Sequence, residues 1–215
     1  MTLPWNRIGA LSGIIFVVLL IVGGGLLLDS PESKDPDAVW LNYLNDDSNL
    51  VQNLIGAYIL LVAAFAFVIF LVVLARNLRL ASSGDDILPA IAFVGGVLFV
   101  ASLLAAIAGL AAVPANIKFG DDAPIPSPDF AKNIQAVGFV ALLIGGAFSA
   151  FVMIVATSVI ILRTHLFAEW VAMLGFLAAI LLIFAALFIP LIALPIWVLV
   201  VSGALARRPE ITASP

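Results

Sequence analysis

The stretch FIPLIALP, residues 188–195, lies near the middle of the last apolar run of the chain, Trp170 to Ala206. As a single helix this run would be roughly 55 Å long, nearly twice the roughly 30 Å hydrocarbon core of a bilayer. Pro190 and Pro195 each remove a helical hydrogen bond and clash with the preceding turn. We therefore predict that they bracket a tight outer turn between two membrane spans, with Trp197 near the headgroups.

The composition predicts a membrane protein throughout. Hydrophobic residues make up 64% of the 215 residues and charged residues only 10%, whereas about a quarter of the residues in a soluble domain are charged. The net charge of −4 comes from residues outside the apolar runs, so the sequence offers no basic surface for nucleic acid. Because there is no cysteine, disulfides, thiolate catalysis and Cys-ligated metals are excluded.

Four further apolar runs precede the last one, and none of them contains a charged residue. Arg7 before the first run is also a feature of secretory signals, but that run is too long and no A-x-A site follows it. We predict an all-α, polytopic transmembrane helix bundle that forms a single domain over residues 1–215. The six expected spans are about 8–28, 51–75, 88–113, 134–162, 168–188 and 192–206.

The distribution of basic residues decides between five spans and six. With six spans and a cytoplasmic N-terminus, six arginines lie inside and three lysines outside, as the positive-inside rule requires. With five spans, Arg207 and Arg208 move outside and the ratio becomes four to five. We therefore predict a multi-pass protein of the cell membrane with both termini in the cytoplasm. The inner residues are Arg7, Arg76, Arg79, Arg163, Arg207 and Arg208, and the outer ones are Lys34, Lys118 and Lys132.

Tryptophan, which favours membrane interfaces, fits this arrangement. Trp5 and Trp170 fall at the predicted inner border, Trp40 in an outer loop, and Trp197 close to the outer end of the last span. The six-span interpretation therefore rests on two kinds of residue.

The first predicted outer loop, residues 29–50, is acidic. Within it DPDAVWLNYL predicts a short helix with Asp35 as N-cap and Pro36 at the first helical position, lying on the membrane surface or on the rim of the bundle. Its acids could recruit Ca²⁺, but they lack EF-hand spacing, and a solvated loop with helix caps is favoured. The acids are Asp29, Glu32, Asp35, Asp37, Asp46 and Asp47. The apolar face of the helix is expected to be Val39, Trp40, Tyr43 and Leu44.

The ends of the other spans carry turn-forming residues. The second outer loop, residues 114–133, contains GDDAPIPSPD, whose prolines favour extended or turn conformations. Asp46, Asp47 or Ser48 is expected to cap the second span, and Asp85 or Asp86 the third.

No ionisable residue lies in the middle of any predicted span, although such residues mark most functional sites inside membranes. The remaining hydroxyls are usually satisfied by a carbonyl one turn back or by a neighbouring helix. A pathway for a neutral or lipidic molecule would need polar side chains that face one another, and Ser149, Thr157 and Tyr58 are the candidates.

The segment HLFAEW, residues 165–170, holds the only histidine of the chain. If it is helical, His165 and Glu169 share a face, which is the spacing of a proton relay or of half a metal site. The alternative is a membrane border, with Arg163 and His165 at the end of one helix and Glu169 at the start of the next, each at the favourable end of a helix dipole. The border is favoured, because a relay needs a further acid or base at depth. We assign no catalytic, cofactor-binding or metal-binding residue and no cofactor.

Small residues recur at four-residue spacing along several spans, which favours close helix approach. Such faces serve contacts within one chain or contacts that build a homo-oligomer or bind a membrane protein partner. They are Gly9 with Gly13; Ala101, Ala105 and Gly109; Gly145 with Ser149; and Gly175 with Ala179.

The order of LSGIIFVVLL, DAVWLNYLND, NLIGAYILL and LRTHLFAEWVAMLG resembles a group of small bacterial six-span membrane proteins of unknown function. The resemblance covers nearly the whole chain and implies a location in the bacterial inner membrane, but no activity. His165 and Glu169 depart from it, since basic or small residues are expected in that turn.

Three classes of function follow from these observations. The first is a non-enzymatic structural or accessory membrane subunit, and the second is a transporter or channel-like protein for a neutral or lipidic molecule. An intramembrane enzyme would need a catalytic pair or metal ligands at depth, and the spans contain neither a Ser/His pair nor a second histidine. We expect the first.

Overall fold

A computed structural model describes residues 4–82, 86–120, 124–184 and 192–208, and all regular structure within them is helical. The elements, in chain order, are α1 Trp5–Leu27, α2 Asp37–Asn45, α3 Asp47–Ala81, α4 Leu88–Phe119, α5 Pro128–Val140, a π-helical segment Ala141–Gly146, α6 Ala147–Thr164, α7 Glu169–Ile183 and α8 Ala193–Ala206.

Four helical stretches are long and apolar enough to cross a membrane. Three are α1, α3 and α4, and the fourth is the continuous rod Pro128–Thr164, which α5, the π-helical segment and α6 form together. Helices α7 and α8 are apolar but shorter, with 15 and 14 residues, or roughly 22 and 21 Å. The predicted all-helical bundle is therefore confirmed, with four helices long and apolar enough to cross a membrane. The predicted number of six spans stays a prediction.

The six long or apolar helices form a closed ring. Going round it, α1 packs on α3, α3 on α4, α4 on α6, α6 on α7, α7 on α8, and α8 again on α1. Neighbours run antiparallel, as contacts at Gly9 with Val73 and at Gly23 with Ile59 show for α1 and α3. Among the described residues, the seam between α7 and α8 is the least extensive of the six. Successive helices of the ring therefore begin at opposite ends of the bundle.

Four phenylalanines hold the centre of the ring together. Phe67 of α3 lies with its ring centroid 4.8 Å from that of Phe16 on α1 and 5.0 Å from that of Phe99 on α4. Phe70, one turn further along α3, lies 5.7 Å from Phe67. Tilted and edge-on ring pairs at these distances are favourable. This cluster fixes three helices against one another.

Glycine allows close backbone approach at two points on α4. A side chain at Gly95 would stand 2.8 Å from the backbone nitrogen of Met153 on α6, and one at Gly109 would stand 2.7 Å from that of Gly138 on α5. Small residues of this kind bring membrane helices into van der Waals contact along their backbones.

The predicted break in the last apolar run is confirmed, because α7 ends at Ile183 and α8 begins at Ala193. Pro190 lies outside the described residues. Pro195 lies in the first turn of α8, where its missing N–H needs no helical partner. The side chain of Trp197 is 0% exposed and packs against Gly175 of α7, so it is buried between helices, and its depth near the headgroups stays a prediction.

The second outer loop is shorter than predicted. Helix α4 continues through Pro114 to Phe119, and α5 already begins at Pro128, so helix replaces both ends of the predicted range 114–133. The extra residues make long-range contacts: Lys118 forms an ion pair of 2.6 Å with Asp47, and Ile117 packs against a separate apolar cluster beneath α2.

The short helix in the first outer loop is confirmed, but its start is not. Helix α2 begins at Asp37, and Pro36 precedes it with an extended ψ of 149°. Asp35 is not the N-cap, because its carboxylate accepts a hydrogen bond of 2.8 Å from the backbone N–H of Glu32 instead. The predicted cap of α3 is Asp46, which accepts from the N–H of Ser48.

Candidate functional site

The two ends of the bundle differ in their chemistry. One end carries the acidic segment 28–47, the end of α4 and the start of α5, and it holds all three lysines. The other end carries the start of α1, the ends of α3 and α8 and the turn between α6 and α7, and it holds all six arginines. We call these the lysine end and the arginine end. Polar chemistry is therefore concentrated outside the apolar middle of the ring.

At the lysine end, α2 folds down onto the bundle as a cap. Trp40, Tyr43 and Leu44 are buried against a small apolar cluster, while Val39 stays exposed, contrary to the predicted apolar face. The indole N–H of Trp40 donates a hydrogen bond of 3.1 Å to the carbonyl of Glu32. Of the two predicted positions, α2 therefore occupies the rim of the bundle. The cluster consists of Trp40, Tyr43, Leu44, Leu50, Val113 and Ala131.

Each acid of this segment already has a partner. Ion pairs join Lys34 to Glu32, Lys132 to Asp37 and Lys118 to Asp47 at 2.6 to 2.7 Å. The carboxylates of Asp35 and Asp46 accept from backbone N–H groups, and that of Asp29 accepts from the Gln52 amide at 2.8 Å. Within the described residues, no three acids or histidines converge as metal ligands. The segment is a folded lid and not an open array of carboxylates.

A small polar cavity of about 20 Å³ lies beneath the cap, between Tyr43, Asn53 and Gln135. The amide oxygens of Asn53 and Gln135 are buried without a protein partner. The amide nitrogen of Gln135 donates to Ser30 at 2.7 Å, which orients that side chain. A space of this size with two free acceptors accommodates one water molecule. Burial raises the pKa of the Tyr43 hydroxyl, so this side chain stays neutral under the cap.

At the arginine end, an amide pair links three helices. Asn77 of α3 donates a hydrogen bond of 2.9 Å to the side-chain oxygen of Asn6 on α1. Its own oxygen accepts from Arg208, just beyond α8, at 3.4 Å. The sequence analysis missed Asn77. Its position between Arg76 and Arg79 was a signal, because arginines indicate that this part of α3 lies at a membrane interface.

The arginines differ from the lysines in their partners. All three lysines pair with acids, but no arginine forms an ion pair with an acid anywhere in the described part of the chain. The acids described at the arginine end are Asp86 and Glu169. Desolvation by burial lowers the pKa of Arg208, whose side chain is partly covered by the bundle. Among the described residues, this end therefore carries arginines whose charge no ion pair balances.

His165 and Glu169 lie in the turn between α6 and α7, not on one helix. His165 follows α6 in the left-handed conformation, with a φ of 51°, and Glu169 is the first residue of α7. Their Nδ1 and Oε1 atoms are 3.6 Å apart, and the side chains are 72% and 61% exposed. This geometry fits the predicted border, because both side chains are exposed and they lie at the ends of two successive helices.

We expect the double replacement of His165 and Glu169 by glutamine to change the free energy of unfolding by less than about 0.5 kcal/mol, because exposed ion pairs contribute little. Unfolding in mixed micelles, followed by circular dichroism, would measure this. His165→Val is the contrasting variant, because a β-branched residue is strained at positive φ. A loss of stability in the glutamine variant as large as that of His165→Val would contradict the border interpretation.

The predicted polar cluster of Ser149, Thr157 and Tyr58 does not form. The hydroxyls of Ser149 and Thr157 donate to carbonyls four residues earlier on the same helix, and Tyr58 is 62% exposed on the outer face of α3. Deeper in the ring, the Oγ of Ser158 and the indole N–H of Trp197 are buried without a hydrogen-bond partner beside Gly175.

The small-residue faces are largely used inside the chain. A side chain added at Gly13 would meet Phe70 and Ser202, and one at Gly145 would meet Ser102. Gly24, Gly25 and Gly203 are different, because nothing lies within 4 Å of an added Cβ atom.

No protein-family model matches the chain, and neither a curated protein nor a solved structure matches it. The resemblance to small bacterial six-span membrane proteins therefore stays a prediction.

Proposed function

We propose that the chain is a non-enzymatic integral membrane protein, a structural or accessory subunit that spans the bilayer six times. The observation that carries this proposal is the separation of polar chemistry from the membrane interior. The apolar middle of every helix lacks ionisable residues, and the central phenylalanines fill the ring. An enzyme or an ion pathway needs charged or metal-binding groups at depth.

The proposed orientation places the arginine end in the cytoplasm and the lysine end outside. Positive charge that is not balanced by acids supports this, because basic residues are retained on the cytoplasmic side. In this arrangement α7 and α8 form the fifth and sixth spans. Their short length requires local thinning of the bilayer or a contribution from residues beyond the described helices.

We expect cysteines introduced at Asn42 and Ala168 to react differently with an impermeant thiol reagent applied to intact cells. Both positions are exposed, Asn42 on α2 and Ala168 at the turn before α7. Asn42→Cys should be labelled and Ala168→Cys should be protected. Ala206→Cys, at the end of α8, reports the sixth span and should behave like Ala168→Cys. If Ala206→Cys were labelled while Ala168→Cys stayed protected, the chain would cross the membrane five times. That result would refute the proposed topology.

The subunit role predicts a defined partner in the membrane. A photoreactive amino acid would be placed singly at Tyr58 and Phe65, two turns apart on one outer face of α3, and at Met173 on the outer face of α7; all three side chains are exposed. We expect one face to crosslink a single membrane protein in cells, and native mass spectrometry to find both chains in a fixed ratio. Crosslinks to lipid alone from all three positions, together with a purely monomeric mass, would contradict the proposal.

A second candidate function is the handling of a neutral or lipidic molecule. It is favoured by a cavity of about 350 Å³ towards the lysine end, where α1, α3, α4 and α8 meet. All of its lining residues are apolar, including Leu20, Gly24, Leu60, Phe99 and Leu194. Cavities of this volume hold small ligands.

Transfer of a fluorescent lipid between donor and acceptor leaflets of proteoliposomes would test this second function. Gly24→Leu fills the cavity from α1, where an added side chain meets open space. Transport through the cavity predicts a slower transfer in this variant than in the unchanged protein. Equal rates in the two proteins and in protein-free liposomes would exclude it.

A further inference from the structure

A groove of about 500 Å³ opens at the arginine end, between the start of α7 and the second half of α8. It lies at the α7–α8 seam, the least extensive contact in the ring. Its lining is apolar except at its end, where the two helices reach the bundle surface. The lining residues include Phe167, Trp170, Val171, Leu199, Gly203, Arg207 and Arg208.

The groove is deep at Gly203, because this residue has no side chain to fill it. No atom lies within 4 Å of the place where a Cβ atom would stand, so the glycine is not needed for close packing within the chain. At the glycines of the ring helices that face a neighbouring helix, an added Cβ atom would collide with that helix. At Gly175, for example, it would collide with Ser158 and Trp197. A glycine without a packing role at this point leaves room for a chain-like apolar group from outside.

Two arginines stand where the apolar groove ends. Arg207 directly follows α8 and is exposed, and the Nη1 of Arg208 is held 3.4 Å from the side-chain oxygen of Asn77. Neither arginine has an acidic partner among the described residues. Glu169, which precedes Trp170 in the chain, faces His165 at 3.6 Å and does not line the groove.

Trp170 marks the depth of the groove in the bilayer. It is 56% exposed and lies in the first turn of α7, on the groove wall. Exposed tryptophans of membrane proteins concentrate at headgroup level. The apolar part of the groove therefore lies at the depth of the acyl chains, and the arginines lie at the depth of lipid phosphates.

We propose that this groove is a binding site for one anionic phospholipid. An acyl chain lies along Leu199, Gly203 and Val171, and the headgroup phosphate accepts hydrogen bonds from Arg207 and Arg208. Basic pockets between membrane helices bind anionic headgroups in this way. The site does not depend on the proposed subunit function, because it needs only the described contacts of α7 and α8.

A phospholipid fits the groove better than a soluble anion does. A free phosphate would use the two guanidinium groups and leave the apolar walls exposed to solvent. A zwitterionic lipid would fill the walls equally well, but its ammonium group would oppose the charge of the arginines. The expected ligand is therefore defined by an acyl chain and a net negative headgroup together.

Quenching of Trp170 fluorescence by brominated lipids tests the site in nanodiscs of the full chain. The difference between the protein and its Trp170→Phe variant isolates the emission of Trp170. We expect brominated phosphatidylglycerol to quench this emission at about tenfold lower mole fraction than brominated phosphatidylcholine. Addition of inorganic phosphate should leave the quenching unchanged.

Two groove variants and one matched control separate a specific site from general charge attraction. Arg207→Gln with Arg208→Gln should abolish the preference for the anionic lipid. Gly203→Leu should also abolish it with both arginines intact, and this variant should fold because its side chain enters open space. Arg76→Gln with Arg79→Gln removes the same charge from exposed positions at the same end, outside the groove, and should keep the preference.

Three results would overturn the proposal. Equal quenching by the two lipids would show that the groove does not select charge. Loss of the preference in the Arg76/Arg79 variant to the same degree would show diffuse attraction to the whole end. Displacement of the brominated lipid by inorganic phosphate, or a preference that survives both groove variants, would show that the acyl chain does not occupy the groove.

Discussion

Replacing Phe67 with alanine is expected to lower the free energy of unfolding by about 3–5 kcal/mol. The side chain is 0% exposed and contacts the rings of Phe16, Phe70 and Phe99, so its loss leaves a cavity where α1, α3 and α4 meet. Helices in a bilayer are held by van der Waals packing rather than by exclusion of water. Lost ring contacts therefore weaken the bundle directly.

Phe65→Ala is the matched control for this prediction. Phe65 lies two residues away on the same helix but is 71% exposed on the outer face. Both variants remove the same atoms from α3, so a difference between them measures packing inside the ring. Unfolding in mixed micelles, followed by circular dichroism, gives both free energies. Equal losses in the two variants would show that Phe67 faces the lipid and that the ring arrangement is wrong.

These two phenylalanines also show why the sequence predicted helices better than faces. Both lie in the segment AAFAF, and nothing in their neighbours tells them apart. A soluble helix marks its buried side by polar residues on the other side, but a membrane helix is apolar all round. The same loss of contrast applies to Trp197, because its residue type favours an interface and nothing in the sequence shows that its side chain is buried between helices.

Helix ends were predictable only where local residues decide them. Asp46 caps α3 through its own carboxylate, and the sequence reveals such a cap. The part of α4 past Pro114 is in contact with residues far away in the chain, since Lys118 pairs with Asp47 and Ile117 packs against the cluster beneath α2. No local signal reports that pairing, so a proline was taken as the end of a helix.

The candidate site was predictable in part. The positions of Arg207 and Arg208 followed from the charge pattern, since both come directly after an apolar run. The groove above them depends on how loosely α7 and α8 meet and on the open space beside Gly203. A glycine that makes room for a ligand and a glycine that allows close packing look the same in sequence, and only their neighbours distinguish them.

Gly95→Leu is expected to lower the free energy of unfolding by about 3 kcal/mol or to prevent the protein from accumulating in the membrane. A Cβ atom at this position would stand 2.8 Å from the backbone nitrogen and 3.2 Å from the Cα atom of Met153, and 3.0 Å from the carbonyl oxygen of Ser149. Overpacking of a core typically costs about 1–3 kcal/mol when side chains can shift. Here the obstructing atoms belong to the backbone of α6, so the helices themselves have to separate.

Gly24→Leu separates this effect from the change in helix propensity. Leucine favours the helix over glycine by about 0.8 kcal/mol at either position, but an added side chain at Gly24 meets nothing within 4 Å. We therefore expect Gly24→Leu to be neutral or slightly stabilising in the same unfolding measurement. If Gly95→Leu were equally harmless, α4 and α6 could not lie in backbone contact. The order of helices round the ring would then need another explanation, because this contact joins its first half, α1, α3 and α4, to its second half, α6, α7 and α8.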